Sequence, residues 1–273
     1  MKNLFRIRKS IDKKIYMSIA AAAFVVVILA WHFASVCGVV NPVFLPTPEK
    51  VVSTIVDSIA SGAIWDDLYI SCYRIFMGFI YAVIVGVILG ILAGCFAGVE
   101  AFIQPLTEFL RYLPVPAFVP LIMVWVGIGE EAKIAVIFMG TLFQLIPMVA
   151  DDVRSVPEDY INAAYTLGAT RGKVLWKVLI PAMLPRLMDT LRMMMGWAWT
   201  YLVVAELVAA NSGLGYSILK AQRYLKTDTM FAGILIIGLL GLAIDRTFGF
   251  ISKKLFSWAE GGTKKCLIKK KRK

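Results

Sequence analysis

Long apolar runs separated by short polar segments dominate this chain. Six runs are long enough to cross a bilayer, because a helix rises about 1.5 Å per residue and about 20 residues cover the roughly 30 Å hydrocarbon core. They lie at about 15–36, 72–97, 102–126, 134–150, 187–210 and 230–251. The pattern predicts an all-α integral membrane protein with about six transmembrane helices.

The first and third runs differ from simple spanning helices. The first follows a basic segment, as in a signal peptide, but its 22 residues exceed the roughly 7–15 of a signal-peptide core, so we predict a retained helix. The third contains four prolines, and proline removes a helical hydrogen bond. We therefore expect the third span to be broken or kinked.

Basic residues lie mainly on one side of the predicted spans. Of the Lys and Arg residues, 21 fall on the side of the chain ends and the polar 151–186 segment, and 5 fall on the other. Basic loops stay in the cytoplasm, so both ends are predicted to be cytoplasmic. The predicted organisation is a basic N-terminus at 1–14, a transmembrane domain at 15–251 that includes the cytoplasmic 151–186 segment, and a basic tail at 252–273.

Composition supports a membrane protein and argues against a nucleic-acid-binding one. The chain is 59% hydrophobic and 17% charged, against about 25% charged in soluble domains. Its net charge of +11 comes from basic residues that flank apolar runs. This placement is typical of membrane topology, so we expect the bilayer, and no nucleic acid, as a partner.

Residues for enzymatic or metal chemistry are sparse. The four cysteines form no CxxC pair, His32 is the only histidine, and we interpret Asp151 and Asp152 as solvated. A phosphate-binding loop is nearly present from Gly168, but only three residues separate its glycines, and Val174 stands where Ser or Thr would bind magnesium. We predict no catalytic residue, no metal site and no ATPase in this chain.

Small residues recur every four positions in the second run. They are Gly78, Ala82, Gly86, Gly90, Gly94 and Gly98. On a helix this spacing forms one stripe along which another backbone can approach closely. The stripe predicts a packing face, either against a helix of the same chain or against a second subunit.

The 151–186 segment is polar but patterned. Ser155 and Glu158 have the spacing of a capping box and predict a helix start there. Pro157 disfavours helical geometry at Val156, so a start one or two residues later is the alternative. An apolar face follows at Tyr160, Ala163, Ala164 and Leu167, and Gly168 is placed to end the helix. A second short helix is expected up to Pro181. Such an amphipathic helix suits docking into a groove of another protein.

Ionisable residues inside the spans are costly and indicate function or pairing. Asp189 and Arg192 are three residues apart and are predicted to pair, whereas Asp245 and Arg246 need other partners. Glu206 has no nearby partner in sequence. We predict that its carboxylate accepts a hydrogen bond from backbone at the outer gate.

The fifth run also carries a Met and aromatic cluster that includes Met194, Trp197 and Tyr201. Such a cluster is typical of core packing. The alternative is a weakly polar wall of a translocation pathway, with Glu206 at its gate.

The 151–186 segment resembles the EAA loop of ABC importer permeases. Asn162-Ala163-Ala164, followed by Gly168 and Pro181, matches EAA, three residues, glycine and a downstream proline, with Asn162 in place of glutamate. Four further stretches resemble the nitrate, sulfonate, taurine and bicarbonate branch of that family. They are Leu45-Pro46-Thr47-Pro48, Ala205-Glu206-Leu207-Val208, Ser212-Gly213-Leu214-Gly215-Tyr216, and Phe231-Ala232-Gly233-Ile234-Leu235 through Asp245-Arg246.

This resemblance implies a permease subunit of a type I importer in the bacterial inner membrane. It would pair with a second copy of itself and with two ATP-binding subunits that hold ATP and magnesium, while this chain binds no cofactor. The coupling contact implied for the ATP-binding subunit comprises Tyr160, Ala163, Ala164, Leu167, Gly168 and Ala169. An external binding protein would deliver a small solute, and the loop at 211–228, with Tyr216, Lys220 and Arg223, is the expected docking region.

Two other functional classes fit the sequence less well. A secondary transporter driven by an ion gradient often contains two related halves with broken helices, and the chain has no visible repeat of this kind. A membrane-embedded enzyme should cluster His or Asp side chains, and no such cluster is visible in the sequence.

Overall fold

The computed structural model describes residues 12–38, 40–41 and 43–258, and within them the chain is helical, without strands. The predictions for the basic ends, including residues 1–11 and 259–273, lie outside the described residues. Eleven α-helices are present in the described part. They are α1 Lys13–Val36, α2 Pro48–Ala60, α3 Trp65–Cys95, α4 Ala97–Arg111, α5 Val115–Val126, α6 Glu130–Arg154, α7 Glu158–Thr166, α8 Arg171–Val174, α9 Ile180–Ala209, α10 Leu214–Arg223 and α11 Thr227–Leu255.

The predicted all-α membrane fold is confirmed, although the number of clear spans is smaller. All six predicted runs lie in helices. Among the described residues, α1, α3, α6 and α11 are long and apolar enough to cross a membrane. The pair α4 and α5 adds a fifth span if it is counted as one bent by 103°. The 30-residue helix α9 carries Arg186, Asp189, Arg192 and Glu206 and does not meet the same requirement.

The break between α4 and α5 coincides with prolines, as expected for the third run. Helix α4 ends at Arg111, and Pro114 precedes α5 with an extended backbone. Pro116 lies in the first turn of α5, where a missing N–H leaves no helical bond unmade. The residue before a proline avoids helical geometry, so the chain turns here instead of continuing one helix.

The chain forms two compact units. The first comprises residues up to Ala63 together with Ile218–Ile234. In it, the indole N–H of Trp31 donates to the Pro46 carbonyl at 2.9 Å, and the hydroxyl of Ser35 donates to the Leu45 carbonyl at 2.7 Å. These bonds hold the Leu45–Pro48 stretch against α1, directly before α2 begins.

The second unit, Ile64–Ser217 with Leu235–Lys273, is built around a close contact between α3 and α6. The small residues of α3 lie on this contact. A Cβ atom added at Gly90 would lie 2.6 Å from the Cβ of Val149, and one added at Gly94 would lie 2.6 Å from the Cβ of Val153. The stripe therefore packs within the chain, which was the first of the two alternatives.

The remaining glycines of the stripe divide between contact and open space. Gly78 and Gly86 also lie against α6, since added Cβ atoms would come within 2.8 Å of Ile137 and 2.9 Å of Leu145. Gly98 has no contact of this kind within the chain, because nothing lies within 4 Å of its Cβ position, and its packing against a second subunit stays a prediction. Helix α3 ends at Cys95, and the extended backbone of Phe96 breaks the four-residue period.

The prediction that a second short helix ends at Pro181 was also wrong. A π-helical turn at Leu175–Leu179 joins α8 to α9, and Pro181 lies in the first turn of α9. Proline has no N–H for the carbonyl four residues earlier. The wider turn lies directly before it, and the Ile180 N–H donates to the Leu175 carbonyl instead. The helix therefore continues through this point.

Candidate coupling helix and buried charge network

Helix α7 begins without a side-chain cap. The hydroxyl of Ser155 donates to the Asp152 carbonyl at 2.6 Å, in the last turn of α6, so it does not cap α7. Pro157 occupies the N-cap position and makes no capping bond through its side chain. The predicted capping box was therefore wrong, because the ring of Pro157 separates Ser155 from the helix that it was expected to start.

The end of α7 follows the predicted glycine stop. Gly168 has a φ of +79°, a left-handed conformation that favours glycine. Its N–H donates to the Tyr165 carbonyl at 2.9 Å, and the N–H of Ala169 donates to the Ala164 carbonyl at 3.0 Å. These two bonds form a Schellman motif, which satisfies the last carbonyls of the helix.

The predicted apolar face of α7 is divided between the core and the surface. Ala164 is buried, with 9% of its surface exposed. Tyr160 and Ala163 are exposed, and Leu167 is 88% exposed. Burying a leucine side chain contributes about 1.5–3 kcal/mol, so this face leaves a favourable contact unmade in the isolated chain.

A groove of about 670 Å³ lies beside α7. Its walls come from the end of α3, the end of α6, and the segment from α7 to α9. The lining residues include Cys95, Phe96, Val156, Ile161, Leu175 and Leu179, with Arg154, Glu158 and Arg171 among the charged ones. The groove and the exposed face together leave α7 with few contacts to the rest of its unit.

Asp152, which the sequence placed in solvent, is buried at the end of α6. The hydroxyl of Thr190 on α9 donates to its carboxylate at 2.6 Å, and the guanidinium of Arg186 lies 3.9 Å away. The neighbouring Asp151 is exposed, as expected, and lies 3.5 Å from Arg154. The Asp152–Thr190 bond therefore joins the two helices that flank the 151–186 segment.

A second polar cluster surrounds Arg74 in the first half of α3, with partners at the start of α6 and near the end of α9; we call it the Arg74 network. The guanidinium is fully buried, and its five N–H groups all have acceptors. It binds both carboxylate oxygens of Glu130 at 2.5 and 2.8 Å, one oxygen of Glu206 at 2.7 Å, and Ser212 through the carbonyl at 2.7 Å and the hydroxyl at 3.2 Å. Lys133 donates to Glu130 at 2.7 Å, so two cations face two carboxylates.

Glu206 connects this network to the start of α10. One of its oxygens accepts from Arg74 and from the hydroxyl of Ser71 at 2.6 Å. The other accepts from the backbone N–H of Gly215 at 2.7 Å. The predicted bond to backbone is therefore present, and the carboxylate also has an ionic partner 132 positions away in sequence. Removing one partner of such a buried pair typically costs about 3–5 kcal/mol.

Sequence reasoning missed the α3 side of this network. Asp67, Ser71 and Arg74 lie at i, i+4 and i+7 on α3 and therefore share one face of the helix. A polar face in an otherwise apolar span is the signal that could have found it. The identity of the partners could not be read from that spacing.

The ion pair predicted within α9 was wrong. Arg192 pairs with Asp245 on α11, with both carboxylate oxygens at 2.5 and 2.6 Å from the guanidinium. The two-pronged contact satisfies the carboxylate better than a neighbour on the same helix would. Arg192 is thus the partner of Asp245, which could not be identified from the sequence.

The predicted pathway residues of α9 have different surroundings. Met194 and Glu206 are fully buried within the chain, whereas Trp197 is 49% exposed. Tyr201 is half-buried against Gly140, and its hydroxyl lies 3.4 Å from the amide oxygen of Gln144. Only Trp197 and Tyr201 therefore reach a surface that a solute or another subunit could contact.

The predicted docking loop contains a helix. Helix α10 occupies Leu214–Arg223, with Lys220 and Arg223 exposed and Tyr216 half-buried. Among the described residues, no three His, Cys, Asp or Glu side chains are grouped as a metal site would require.

Comparison with known proteins places this arrangement in a family. The profile of the family described as "Binding-protein-dependent transport system inner membrane component" matches residues 82–257. The chain belongs to this family. The matched region of this permease contains α7, the small-residue stripe from Ala82 onward, and Glu130 and Glu206 of the Arg74 network.

Two relatives are similar to the permease over most of its length. The taurine transport system permease protein of Escherichia coli strain K12 is 31% identical over 256 residues, covering 92% of this chain and 92% of that protein. An aliphatic sulfonates transport permease protein of Bacillus subtilis strain 168 is 34% identical over 233 residues, covering 85% of this chain and 84% of that protein. The permease is thus an ABC importer component in the inner membrane.

A solved structure supports the fold. The permease is similar to a chain of the methionine ABC transporter MetNI in an inward-facing conformation, with a TM-score of 0.56 and 23% sequence identity. The match covers 70% of this permease and 93% of that chain. At this identity the likeness is one of fold.

Proposed function

We propose that α7 is the surface through which a separate ATP-binding subunit drives this permease. The observation that carries the proposal is the exposed side of α7, where Tyr160, Ala163 and Leu167 share one face and Leu167 is almost fully exposed. An amphipathic helix of this kind binds by laying its apolar face into a groove of a partner. ATP and magnesium bind to that partner, and the permease itself binds no cofactor.

The complete importer in this proposal contains two copies of the permease, two ATP-binding subunits and an external binding protein. The exposed side of α9 supports the second copy, since Met193 and Trp197 leave 59% and 49% of their surfaces uncovered in the single chain. The binding protein docks on the segment that includes Tyr216, Lys220 and Arg223. In this proposal the solute crosses between two equivalent permease chains, and each chain binds one ATP-binding subunit, which gives two copies of each.

The substrate that we propose is a small organic sulfonate, such as taurine. This assignment is supported by the two relatives, which are named for taurine and for aliphatic sulfonates. Nitrate and bicarbonate are the competing anions. The permease selects little by itself in this proposal, because Trp197 and Tyr201 offer a weakly polar surface, and the binding protein supplies the specificity.

The coupling role is tested by Leu167→Asp, with Leu225→Asp as a matched control. Leu225 is also exposed, at 64%, but lies between α10 and α11. The tagged wild-type permease is purified from its native membranes, and the ATP-binding subunit that accompanies it is quantified. We expect the amount of co-purified ATP-binding subunit to fall at least about tenfold in Leu167→Asp and to stay unchanged in Leu225→Asp. Only the carboxylate at position 167 would lose its water in the contact between α7 and the ATP-binding subunit, and this loss is costly. Equal retention in both variants would overturn the coupling role.

Uptake of labelled taurine tests the energy source and the substrate. Cells that express the complete importer are treated with a proton uncoupler while ATP is maintained. ATP-driven import continues under these conditions, whereas a secondary transporter stops. Competition with unlabelled aliphatic sulfonate, nitrate and bicarbonate identifies the anion class, and inhibition by nitrate or bicarbonate alone would contradict the sulfonate assignment.

A further inference from the structure

The first turn of α10 is held by side chains of other helices. The N-terminal N–H groups of a helix need acceptors, which a capping side chain usually supplies. Gly213, directly before α10, has no side chain to do so. Instead the N–H groups of Gly213, Leu214 and Gly215 donate to Asp67 at 2.7 Å, Ser71 at 2.9 Å and Glu206 at 2.7 Å.

These three acceptors belong to two long helices that are themselves bonded to each other. Asp67 and Ser71 lie on α3, and Glu206 lies near the end of α9. Arg74 joins them, because its guanidinium binds Glu206 and also binds Glu130 at the start of α6. A fully satisfied buried polar network of this kind specifies one arrangement of its members.

There is no spare volume at this point. Gly213 has a φ of +113°, and a Cβ atom there would lie 2.4 Å from the Oε1 atom of Glu206 and 2.6 Å from the Nη1 atom of Arg74. A Cβ atom at Gly215 would lie 2.9 Å from the Cβ of Glu206. The turn therefore fits directly onto the charged groups, and neither can shift without the other.

The Arg74 network also carries further bonds to the same turn. The carbonyl and hydroxyl of Ser212 both accept from Arg74. The hydroxyl of Ser217 donates to the second carboxylate oxygen of Asp67. Five residues between Ser212 and Ser217 are thus hydrogen-bonded to side chains of α3 or α9.

We propose that Arg74 and Glu206 are positioning residues of the importer: they fix the connection between α9 and α10 onto α3, α6 and α9, and transport requires that this connection be fixed. Helix α10 carries the docking residues of the proposed function, and the transport part of this inference rests on that function. Glu206 in this role does not contact the solute. It sets where α10 begins.

Amide hydrogen exchange of the full-length permease in detergent micelles tests the positioning role directly. In Glu206→Gln the side chain keeps its size but loses the charge that faces Arg74. We expect the amides of Gly213–Gly215 to exchange at least about tenfold faster than in the wild type. A peptide that covers α7 should keep its wild-type rate, because a general loss of stability would accelerate both regions.

Two further variants keep this test decisive. Asp245→Asn removes a carboxylate from the other two-pronged ion pair of the same unit, and it should leave exchange at Gly213–Gly215 unchanged. Ser71→Ala removes the acceptor of the Leu214 amide together with one neutral hydrogen bond to Glu206, and it leaves the Arg74–Glu206 ion pair in place. It should accelerate exchange of the Leu214 amide even if Glu206→Gln fails to fold. Unchanged exchange at these amides in a folded Glu206→Gln or Ser71→Ala protein would overturn the proposal.

Transport is then measured with the same Glu206→Gln variant in the complete importer. We expect taurine uptake to fall at least about tenfold while the ATP-binding subunit still co-purifies. Faster exchange with undiminished uptake would overturn the transport part of the inference. Loss of the ATP-binding subunit from the wild type itself would instead contradict the proposed function and would leave the exchange result standing.

Discussion

The two ends of α6 are held in opposite ways. At its first turn, the partly exposed Glu130 and the buried Lys133 belong to the Arg74 network, in which the charges are paired and hydrogen-bonded. At its last turn, Asp152 bonds to Thr190, but the chain then enters α7, whose start is uncapped and whose apolar face is exposed. The permease thus fixes one end of this helix internally, and in the function proposed above a partner completes the other end.

The difference shows where stability and function are separated in this fold. Substitutions in the Arg74 network should alter the free energy of unfolding, because they leave charges buried without partners. Substitutions on the exposed side of α7 should alter association and leave the free energy of unfolding within about 0.5 kcal/mol. The α3–α6 contact between the two ends should carry the largest packing effects.

The largest packing effect in this comparison is expected from Gly90→Ala. The added Cβ would lie 2.6 Å from the Cβ of Val149 and 2.8 Å from the Ile146 carbonyl oxygen, so the two helix backbones must separate. Overpacking of this kind destabilises by about 1–3 kcal/mol, and we expect the upper end. Gly98→Ala is the control, because nothing lies near that position. The midpoint of SDS-induced unfolding, followed by tryptophan fluorescence, measures the difference, and equal midpoints would contradict the contact.

A smaller effect is expected from Thr190→Val on α9, which changes the contact with the last turn of α6. Valine keeps the shape of threonine but removes the hydrogen bond to the buried carboxylate of Asp152. A hydrogen bond to a charged group contributes about 1.5–3 kcal/mol, and we expect the lower end because Arg186 also lies near that carboxylate. Thr166→Val is the control, since its hydroxyl bonds only within the exposed α7. The same unfolding assay should separate the two valine variants.

The smallest effect is expected from Gly168→Ala. Alanine in a left-handed conformation costs about 1–2 kcal/mol, and this strain acts mainly on the end of α7. Gly172→Ala has equally open surroundings but no positive φ, so it should be neutral. Hydrogen exchange of the α7 peptide should be faster in Gly168→Ala alone. If both alanine variants exchange alike, the glycine stop does not stabilise this helix.

The spans could be predicted from the sequence because their signal is local. A run of about 20 apolar residues identifies a membrane helix without knowledge of its neighbours. The short helices α2 and α10 carry no such run, and the predictions treated them as parts of loops. The end of α3 could not be predicted either, because the four-residue spacing of small residues continues to Gly98 although the helix ends at Cys95.

The partners of buried charges could not be predicted, because they depend on which helices meet. Arg192 has Asp189 three residues earlier, yet it pairs with Asp245, 53 positions away. Glu206 was recognised as needing a partner, but nothing in its surrounding sequence indicates Arg74. The glycine stop at Gly168 was predictable because a left-handed residue after a helix has a strong local preference.

The π-helical turn at Leu175–Leu179 bears on how many residues the connection between α7 and α9 must contain. Each residue of an α-helix advances by about 100° around the axis. Val174 and Leu179 are five positions apart, yet both are buried, because the wider turn brings them to the same side. A chain shortened by one residue here would form a regular α-helical turn, in which these two side chains lie only about 40° apart around the axis and both stay on the buried side. The extra residue of the π-helical turn is therefore one that this connection can lose without exposing its core residues.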